Sequence, residues 1–489
     1  MAALSKKTVK PVPISNNASS VTSFSANGNI QFLKTAKLSL LEIASSVFYG
    51  KDQFYNSSLE LYKRMQSNIR SLVAQDSFDY IANVVLFSRK QMDMRTYPIV
   101  LVVEFAKELR VQNKTYVNMR KLVCETISRA DELTELYSYA LTIFGDKKSI
   151  PLSIKKGVAD AFNKFDEYQL SKYNGKNKSL TLKDLIRIVH PVPKDTFQSN
   201  IFAKLMLDNL STPYTWETEL SANGQLNASE QKTKTQIWTE LVDSGKIGYM
   251  ALLKNLRNIE SCMDQKLINK VVEIISNKDK VLRSKQFPMN FVTAYENVTN
   301  ANIKTAISKA IHHSACNIPS MGKDICLLID TSGSMGGKAI TNAALFASMI
   351  IGAHQDSKVT TILFNNNATE VKGSSDWNEM IRLCKPTGGT NLQSAINLVG
   401  TKQFDAVFCL SDGDVNQTSL MSLRNLGGEK CIKVVFNFNA SETTPFKDNN
   451  CFFITGLSSK VFSYLKYSKE ADGLVDLLST NFNMFPKAF

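Results

Sequence analysis

The fold of the last third of this 489-residue chain is decided at residues 325–334, which read ICLLIDTSGS. Five consecutive apolar residues predict a strand that is buried on both faces, as in a parallel sheet. The strand ends in a carboxylate, and serine hydroxyls stand two and four positions later on a glycine-containing loop. Ligands of doubly wound α/β sheets bind beyond the carboxyl ends of the strands, so this loop is a candidate site.

Further apolar runs of the same kind follow, and amphipathic segments separate them. The runs are residues 359–364, 406–410, 432–438 and 452–454. The segments predicted as helices are residues 339–352, 375–383, 392–399, 420–423 and 461–478. This alternation predicts a doubly wound α/β domain with a parallel sheet over residues 319–489.

Residues 32–311 have a different periodicity, in which apolar residues recur at spacings of three and four. Connections such as residues 96–98 and 145–148 are short and carry residues that begin or end helices. About ten or more helices in succession predict an α-solenoid of degenerate HEAT-like repeats. We expect this helical domain to span residues 29–318, after a flexible arm of residues 1–28 that is rich in Ser, Asn and Lys.

Charge is divided unequally between the two modules. Residues 321–489 contain 15 Lys and Arg and 15 Asp and Glu, so the whole net charge of +14 lies in residues 1–320. A basic module beside a neutral one suggests a polyanionic partner, although a basic surface that serves only solubility is an equal alternative.

Several classes are disfavoured by composition. No apolar stretch is long enough for a membrane span, and the first residues lack the apolar core of a signal peptide. Eight scattered cysteines without a CxxC pair, and four histidines without zinc-site spacing, are typical of reduced thiols in a cytoplasmic protein.

The loops after the predicted strands together offer oxygen ligands, which Mg²⁺ and Mn²⁺ prefer in octahedral geometry. The residues concerned are Asp330, Ser332, Ser334, Thr390 and Asp412. They resemble the metal-ion-dependent adhesion site of von Willebrand factor A domains, whose pattern is DxSxS, then a threonine, then an aspartate. The resemblance implies that the serines and the threonine ligate Mg²⁺ or Mn²⁺ directly and that the aspartates act directly or through water. It also implies an open sixth position that accepts an acidic group from a partner.

The same side chains have structural explanations as well. Ser332 and Ser334 could cap the helix that follows, and Asp412 could shape a turn. The joint occurrence of all five residues favours the metal site. Hydrolase chemistry is less favoured, because no Ser–His pair is evident and a phosphatase with Asp330 as nucleophile would need an aspartate at position 332.

Several segments of the helical module resemble the TROVE module of the Ro RNA-binding autoantigen family. They are residues 129–133 (RADEL), 150–157 (IPLSIKKG), 170–173 (LSKY), 182–191 (LKDLIRIVHP), 246–258 (KIGYMALLKNLRN) and 283–288 (RSKQFP). The resemblance runs from about residue 28 to the C-terminus, with the modules in the family's order. Departures in these segments favour a bacterial or phage member.

The resemblance implies a ring of HEAT-like hairpins that the A domain closes, without a catalytic role. In that family, single-stranded 3′ ends of misfolded small RNAs enter the ring, and structured Y RNAs bind its basic outer surface. Bacterial relatives use a Y-like RNA to tether an exoribonuclease. We therefore expect a monomeric, cytoplasmic, non-enzymatic RNA-binding protein of RNA quality control and maturation, with no membrane partner.

Phosphate neutralisation requires Lys and Arg on the helical module. The first candidates flank two predicted helices and are Lys172, Lys176, Lys183, Arg187 and His190. The resemblance assigns RNA contacts to Lys172, Lys176 and His190, although the loop is one residue longer than in animal relatives. His190 could contact a base, or it could simply end a helix.

A second basic group is Lys246, Lys254 and Arg257, which share one face if their helix is continuous. That face lines the RNA path or is an ordinary solvated surface. Trp216 and Trp238 are expected to anchor the helical core rather than to stack on bases.

Two functions of other classes compete with RNA binding. A metal-dependent adhesion or scaffold module that binds protein without nucleic acid leaves the unequal charge unexplained. A metal-dependent phosphodiesterase needs a general base near Asp330, and the sequence offers none that can be identified.

Overall fold

The computed structural model describes residues 18–24, 30–46, 57–175, 179–286, 288–315, 318, 320–415, 417–438, 443–444, 452–455 and 474–479. Contacts within the chain divide it into two compact units. The α/β unit contains the described residues of Met1–Asn68 and Asn317–Asn483, and the helical unit contains those of Ile69–Cys316.

The strands are β1 Ala18–Phe24, β2 Ile30–Lys34, β3 Asp324–Asp330, β4 Lys358–Phe364, β5 Ala368–Val371, β6 Ala406–Ser411, β7 Ile432–Asn437, β8 Thr443–Thr444 and β9 Phe452–Thr455. The helices before β3 are α1 Ala36–Ser46, α2 Ser58–Ala74, α3 Phe78–Leu86, α4 Thr96–Val111, α5 Met119–Thr126, α6 Ala130–Phe144, α7 Leu152–Phe162, α8 Glu167–Tyr173, α9 Leu182–Val189, α10 Thr196–Met206, α11 Trp216–Gly224, α12 Lys234–Asp243, α13 Tyr249–Lys254, α14 Leu256–Glu260, α15 Gln265–Ser276, α16 Lys278–Ser284, α17 Pro288–Glu296 and α18 Ala301–Ser314. The helices after β3 are α19 Lys338–Ala353, α20 Trp377–Leu383, α21 Leu392–Val399, α22 Gln417–Asn425 and α23 Leu474–Ser479.

The main sheet of the α/β unit has the strand order β5-β4-β3-β6-β7-β9. All neighbours in it are parallel except β5, which pairs antiparallel with β4. The chain passes from β3 to β4 on one side and later to β6 on the other, so the carboxyl ends of β3 and β6 form a topological switch point. The α/β prediction is confirmed, and β5 is a strand that the apolar runs did not indicate.

Helices cover both faces of this sheet, because its strands are buried on both sides. On one face, α21 and α22 pack on Cys326, Leu328 and Val407 of the central strands. On the other, Phe346 of α19 packs edge-to-face on Phe436 of β7, with ring centroids 5.7 Å apart. This packing holds the strand ends in place around the switch point.

A second sheet in the α/β unit pairs β1, β2 and β8 antiparallel. Residues Ala18–Phe24, inside the predicted arm of residues 1–28, therefore form a strand. The helical segment predicted to begin near residue 32 instead begins at Ala36, because residues 30–34 pair with two other strands. Of the last predicted helix, residues 461–478, only Leu474–Leu478 lie within the described residues.

The helices of the helical unit stack in a regular way. From α3 to α9, each helix packs on the next helix but one, as α4 does on α6 and α5 on α7. Such contacts are typical of stacked helical hairpins. At Gly157 a Cβ would lie 2.6 Å from the Arg120 carbonyl oxygen, so glycine permits α5 and α7 to approach closely. Within the described residues no helix has the length and apolarity needed to cross a membrane.

Candidate functional sites

The strand-end site, defined as Asp330, Ser332, Ser334, Thr390 and Asp412, is built on loops that the backbone holds together. The Thr387 N–H donates to the Thr331 carbonyl at 2.8 Å, and the Gly333 N–H donates to the Gly388 carbonyl at 2.9 Å. These bonds join the loop after β3 to the loop that carries Thr390.

Asparagines after β4 hold the threonine loop from its other side. The Gly389 N–H donates to Asn366 Oδ1 at 2.8 Å, and the Asn391 N–H donates to the Asn365 carbonyl at 2.7 Å. Gly388 has φ +70°, and a Cβ there would lie 2.8 Å from the Asn366 amide, so this turn requires glycine. Sequence reasoning missed these asparagines, although a run of three after an apolar strand is a turn signal.

Two buried carboxylates lie at the centre of the strand-end site. Asp330 is fully buried; its Oδ1 accepts the Ser332 N–H at 2.9 Å, and its Oδ2 accepts the Ser411 hydroxyl at 2.7 Å. Burial, together with the charge of Asp412, raises the pKa of Asp330 to about 7. Burial likewise raises the pKa of Asp412, and the Ser334 hydroxyl opposes that rise. Both carboxylates are therefore destabilised as anions.

Two oxygens of the site have no protein partner among the described residues. They are Thr390 Oγ1 and Asp412 Oδ2, and both are buried. The hydroxyl oxygens of Ser332 and Ser334 lie 3.0 Å apart. This arrangement suits a divalent cation. The cation would neutralise the charge of the destabilised carboxylates, and it would also coordinate the oxygens that lack a hydrogen-bond partner.

The donor set limits which metals are suitable. Nowhere in the described part of the chain do three or more His, Cys, Asp or Glu side chains form a metal-holding group. A cation at the strand-end site would depend on hydroxyl oxygens as well as on Asp330 and Asp412. Oxygen-only donors of this kind favour Mg²⁺ or Mn²⁺ over zinc.

A charge network in the helical unit surrounds the RADEL segment. Arg89 donates to both oxygens of Glu132, at 2.7 and 2.5 Å, and both side chains are buried. Arg95 donates to Asp131 and to Glu135, each at 2.6 Å. The network pairs the buried carboxylates of Glu132 and Asp131, and the exposed one of Glu135, with guanidinium groups.

Arg129 connects this network to α8. Its guanidinium donates to Asp131 at 3.1 and 3.2 Å and lies 4.9 Å from the ring centroid of Tyr173. The preceding side chain of α8, Lys172, is exposed and lies 5.8 Å from the Tyr168 ring centroid. The buried network thus positions the helix that carries Lys172.

Lys172 and Lys246, far apart in sequence, line one cleft, here called the Lys172–Lys246 cleft. Its aromatic wall consists of Tyr168, Tyr214 and Trp216. The Lys246 ammonium lies 5.4 Å from the Tyr214 ring centroid. The cleft encloses about 60 Å³, enough for about two water molecules, so it is a notch rather than a deep pocket.

The two tryptophans differ from the expectation that both anchor the core. Trp238 is 2% exposed and does so, whereas Trp216 is half-buried and lines the Lys172–Lys246 cleft. Their rings stack with centroids 6.2 Å apart at 21°, so the buried ring supports the partly exposed one. The sequence carried no signal for this difference.

The other basic residues predicted from the sequence are more scattered. Lys183 forms an ion pair with Asp208, and Arg187 is exposed. His190 ends α9 in the left-handed conformation, with φ 49°, and its side chain is exposed. Its backbone therefore has the helix-ending role, while its ring stays accessible. Lys176 lies outside the described residues.

The shared face of Lys246, Lys254 and Arg257 was predicted on the condition of one continuous helix, and this condition is not met. Lys246 precedes α13, and the helix breaks at Asn255 before Arg257 in α14. The Asn255 side chain donates to the Ala251 carbonyl at 2.9 Å, so it competes with the regular helical pattern. All three cations are exposed.

The chain contains a solenoid-like helical unit and a doubly wound sheet with an oxygen-lined strand-end site. These features define its class, which is a helical-repeat module with a von Willebrand A-type domain. The TROVE domain family matches residues 9–212 and 196–325, about two thirds of the chain. The chain belongs to this family. Residues 320–420 match the VWA domain of the cobalamin biosynthesis protein CobT.

Relatives with similar sequences are distant and mostly much longer. Telomerase protein component 1 of Mus musculus is 22% identical over 369 residues, which are 58% of this chain and 14% of that protein. The RNA-binding protein RO60 of Caenorhabditis elegans is 24% identical over 161 residues, 29% of this chain and 25% of that protein. The chain thus spans only a small part of the mouse relative.

The crystal structure of the Deinococcus radiodurans RO (RSR) protein has a similar fold. It is superimposed with a TM-score of 0.56 at 13% identity, over 88% of this chain and 99% of that one. The similarity confirms the fold class predicted from the sequence.

Proposed function

We propose that this chain is a non-catalytic RNA-binding protein whose helical unit holds RNA at the Lys172–Lys246 cleft. The observation that supports the proposal most strongly is the arrangement of the cleft itself. Two exposed ammonium groups from distant segments flank three aromatic side chains. Proteins that bind single-stranded RNA combine these two features, because cations neutralise phosphates and aromatic rings stack on bases.

The small volume of the cleft and the rigidity of its aromatic wall favour stacking of a base at the mouth of the cleft. A notch of about 60 Å³ is too small to enclose a base, so a base would stack on the exposed part of Trp216. The stacked Trp238 ring behind it keeps that surface from moving when a base binds. A rigid aromatic surface loses little conformational entropy on binding.

The cleft also contains a carboxylate that opposes phosphate binding. Glu217 lines it together with the two lysines, and it is exposed. Removal of this negative charge by Glu217→Gln should strengthen RNA binding, whereas loss of either lysine should weaken it.

Membership of the TROVE family supports a finer proposal for the RNA partner. We propose Y-like small structured RNAs and the single-stranded 3′ ends of misfolded non-coding RNAs as ligands, in cytoplasmic RNA quality control and maturation. An exoribonuclease would then be held through the bound RNA. The name of the C. elegans relative, an RNA-binding protein, supports the general class of ligand.

A gel-shift titration tests RNA binding. The probes are a small structured RNA with a 3′ single-stranded tail, its blunt version and a duplex DNA, each at two salt concentrations. We expect preference for the tailed RNA, with affinity that falls as salt rises. The double substitution K172E/K246E should weaken binding of the tail by about tenfold, since two phosphate contacts are lost.

A matched variant controls for net charge. Lys266 and Lys280 are exposed and lie on other helices of the same unit, α15 and α16. K266E/K280E makes the same change in total charge and should leave affinity within about twofold of the wild type. Equal loss in both double variants, or equal weak binding to all three probes, would overturn the proposal.

For the α/β unit, we propose that the strand-end site binds Mg²⁺ or Mn²⁺. Ser332, Ser334 and Thr390 would supply hydroxyl ligands, and Asp330 and Asp412 would supply the compensating charge. The bound cation would offer a position for an acidic group of a partner. Calorimetric titration with Mg²⁺ tests this, and D412N should abolish the binding heat.

A further inference from the structure

A second and larger groove of the helical unit lies away from the Lys172–Lys246 cleft. It encloses about 670 Å³ between the end of α4, the start of α5 and the start of α7. Volumes of this size are typical of sites that hold small molecules. None of the basic residues predicted from the sequence as RNA contacts lines it.

The groove has an apolar floor and a basic rim. The apolar floor combines Leu109, Met119 and Ile150, each at most 5% exposed, with Leu152, which is 61% exposed and offers accessible apolar surface. The charged side chains that line the groove are Arg110, Lys114, Lys148 and Lys155. No acidic side chain is among its described lining residues, so the lining itself carries net positive charge, which favours anions.

Two of the four cations already have protein partners. Arg110 Nη1 donates to the Ser149 carbonyl at 2.6 Å, which joins the end of α4 to the loop before α7. Lys114 Nζ donates to the Val73 and Ala74 carbonyls and to Asp76 Oδ1, at 2.8, 3.0 and 2.7 Å. These two side chains therefore shape the groove wall.

The other two cations, Lys148 and Lys155, have charges that no ion pair neutralises in the part of the chain that the structure describes. Lys148 is exposed and Lys155 is half-buried. The loop that carries Lys148 is held in shape by Asp146, whose Oδ1 accepts the N–H groups of Lys148 and Ser149 at 2.6 and 2.9 Å. The carboxylate of Asp146 thus holds its own loop, and it acts on Lys155 only through space, without an ion pair.

We propose that this groove is a second anion site that binds a nucleotide unit, with its phosphate at Lys148 and Lys155 and its base against the apolar floor. Cations alone would suit any phosphate, but an apolar floor adds affinity only for an anion with an apolar body. A nucleotide unit has both parts. The inference rests on the proposed RNA binding, in which the groove would hold a single-stranded segment.

Fluorescence anisotropy with a labelled single-stranded oligouridylate of about ten nucleotides tests the proposal. K148E/K155E in the full chain should weaken binding by about tenfold, and the slope of log K against log salt should become shallower by about 1.4. The milder K148Q/K155Q should act in the same direction, and it preserves a readout if charge reversal impairs folding. K266E/K280E is again the matched control.

A competition experiment tests whether the groove recognises the phosphate and the base together. We expect uridine monophosphate to displace the oligonucleotide from the wild type, and inorganic phosphate at equal concentration not to displace it. This result supports a site that recognises phosphate and base together. Displacement by both to the same extent would contradict the role of the apolar floor.

The outcomes distinguish this inference from the proposed function. Binding that is lost in K148E/K155E and retained in the control supports the groove, whatever K172E/K246E does. If K148E/K155E binds RNA as well as the control variant does, the proposed groove site is overturned, while the proposed RNA binding of the chain stands. A wild type that binds no RNA overturns both.

Discussion

Buried carboxylates occur in both units of this protein, but their surroundings differ. In the helical unit, Glu132 receives two hydrogen bonds from Arg89, and Asp131 receives one from Arg95. In the α/β unit, Asp330 and Asp412 lie close enough to raise the pKa of Asp330, and no cation of the described protein offsets them. The first arrangement is complete in itself, whereas the second lacks positive charge.

The comparison teaches how to separate structural from ligand-binding polar clusters. A buried charge costs several kcal/mol unless it is paired, so a fold retains an unpaired one only where something else compensates it. On this argument the RADEL network stabilises the fold, and the strand-end site is the one for which a bound cation is proposed. Four predictions test the contrast.

The largest effect is expected for Glu132→Ala in the helical unit. It leaves the charge of Arg89, a residue that is 8% exposed, buried without its carboxylate partner, so unfolding free energy should fall by about 3–5 kcal/mol. Urea unfolding measures the change. Glu240→Ala, which removes an exposed ion pair with Lys232, is the control and should cost less than about 1 kcal/mol. Similar losses in the two variants would mean that burial does not matter here.

The second prediction concerns Thr390, whose buried hydroxyl oxygen has no protein partner in the described structure. In chelator, Thr390→Val should change stability by less than about 1 kcal/mol, since no hydrogen bond is lost. Saturating Mg²⁺ should stabilise the wild type by about 2.7 kcal/mol at a hundredfold excess over Kd. The variant should lose most of this gain. Equal stabilisation of both proteins by Mg²⁺ would exclude Thr390 as a ligand.

The third prediction is the pH dependence of the metal-free protein. The pKa of Asp330 is raised to about 7, so the folded state binds a proton that the unfolded state has released. Unfolding free energy in chelator should therefore fall, on the order of 2 to 3 kcal/mol, as pH rises from about 5 to about 8. Asp330→Asn should remove that part of the slope. A variant with the wild-type slope would show that another group titrates.

The smallest effect extends the contrast to surface cations. Lys183 already forms an ion pair with Asp208, whereas Lys172 has no ion pair among the described residues and lies over two aromatic rings. Lys172→Gln should weaken binding of tailed RNA by about fourfold, the contribution of one phosphate contact, and Lys183→Gln by less than about twofold. The gel-shift titration ranks the two. The reverse order would mean that RNA displaces Asp208 from Lys183.

Much of the fold followed from local patterns. Each apolar run after residue 320 is a strand within one or two residues of its predicted ends, because a strand buried on both faces must be continuously apolar. The pattern failed at β5, an edge strand exposed enough to carry polar residues, and at β2, where pairing with distant strands replaced the helix. Pairing over long distances leaves no local signature.

Candidate sites were predictable to the extent that their residues lie close in sequence. The DxSxS loop could be recognised because one turn of backbone carries three of its side chains. The Lys172–Lys246 cleft and the groove at Lys148 and Lys155 could not, since each combines helices that are separated in sequence. The break at Asn255 was hidden for a related reason, because a side-chain hydrogen bond to the backbone does not change the apolar periodicity.

By itself, then, the sequence determined the two classes of secondary structure, the location of the basic charge and the chemistry of the strand-end loops. These depend on side-chain type and short-range spacing. Only the tertiary structure decided which carboxylates are paired, which lysines share a cleft and which tryptophan is accessible. Those properties depend on the desolvation and distance of groups far apart in the chain, and neither quantity exists until the helices and the sheet have packed.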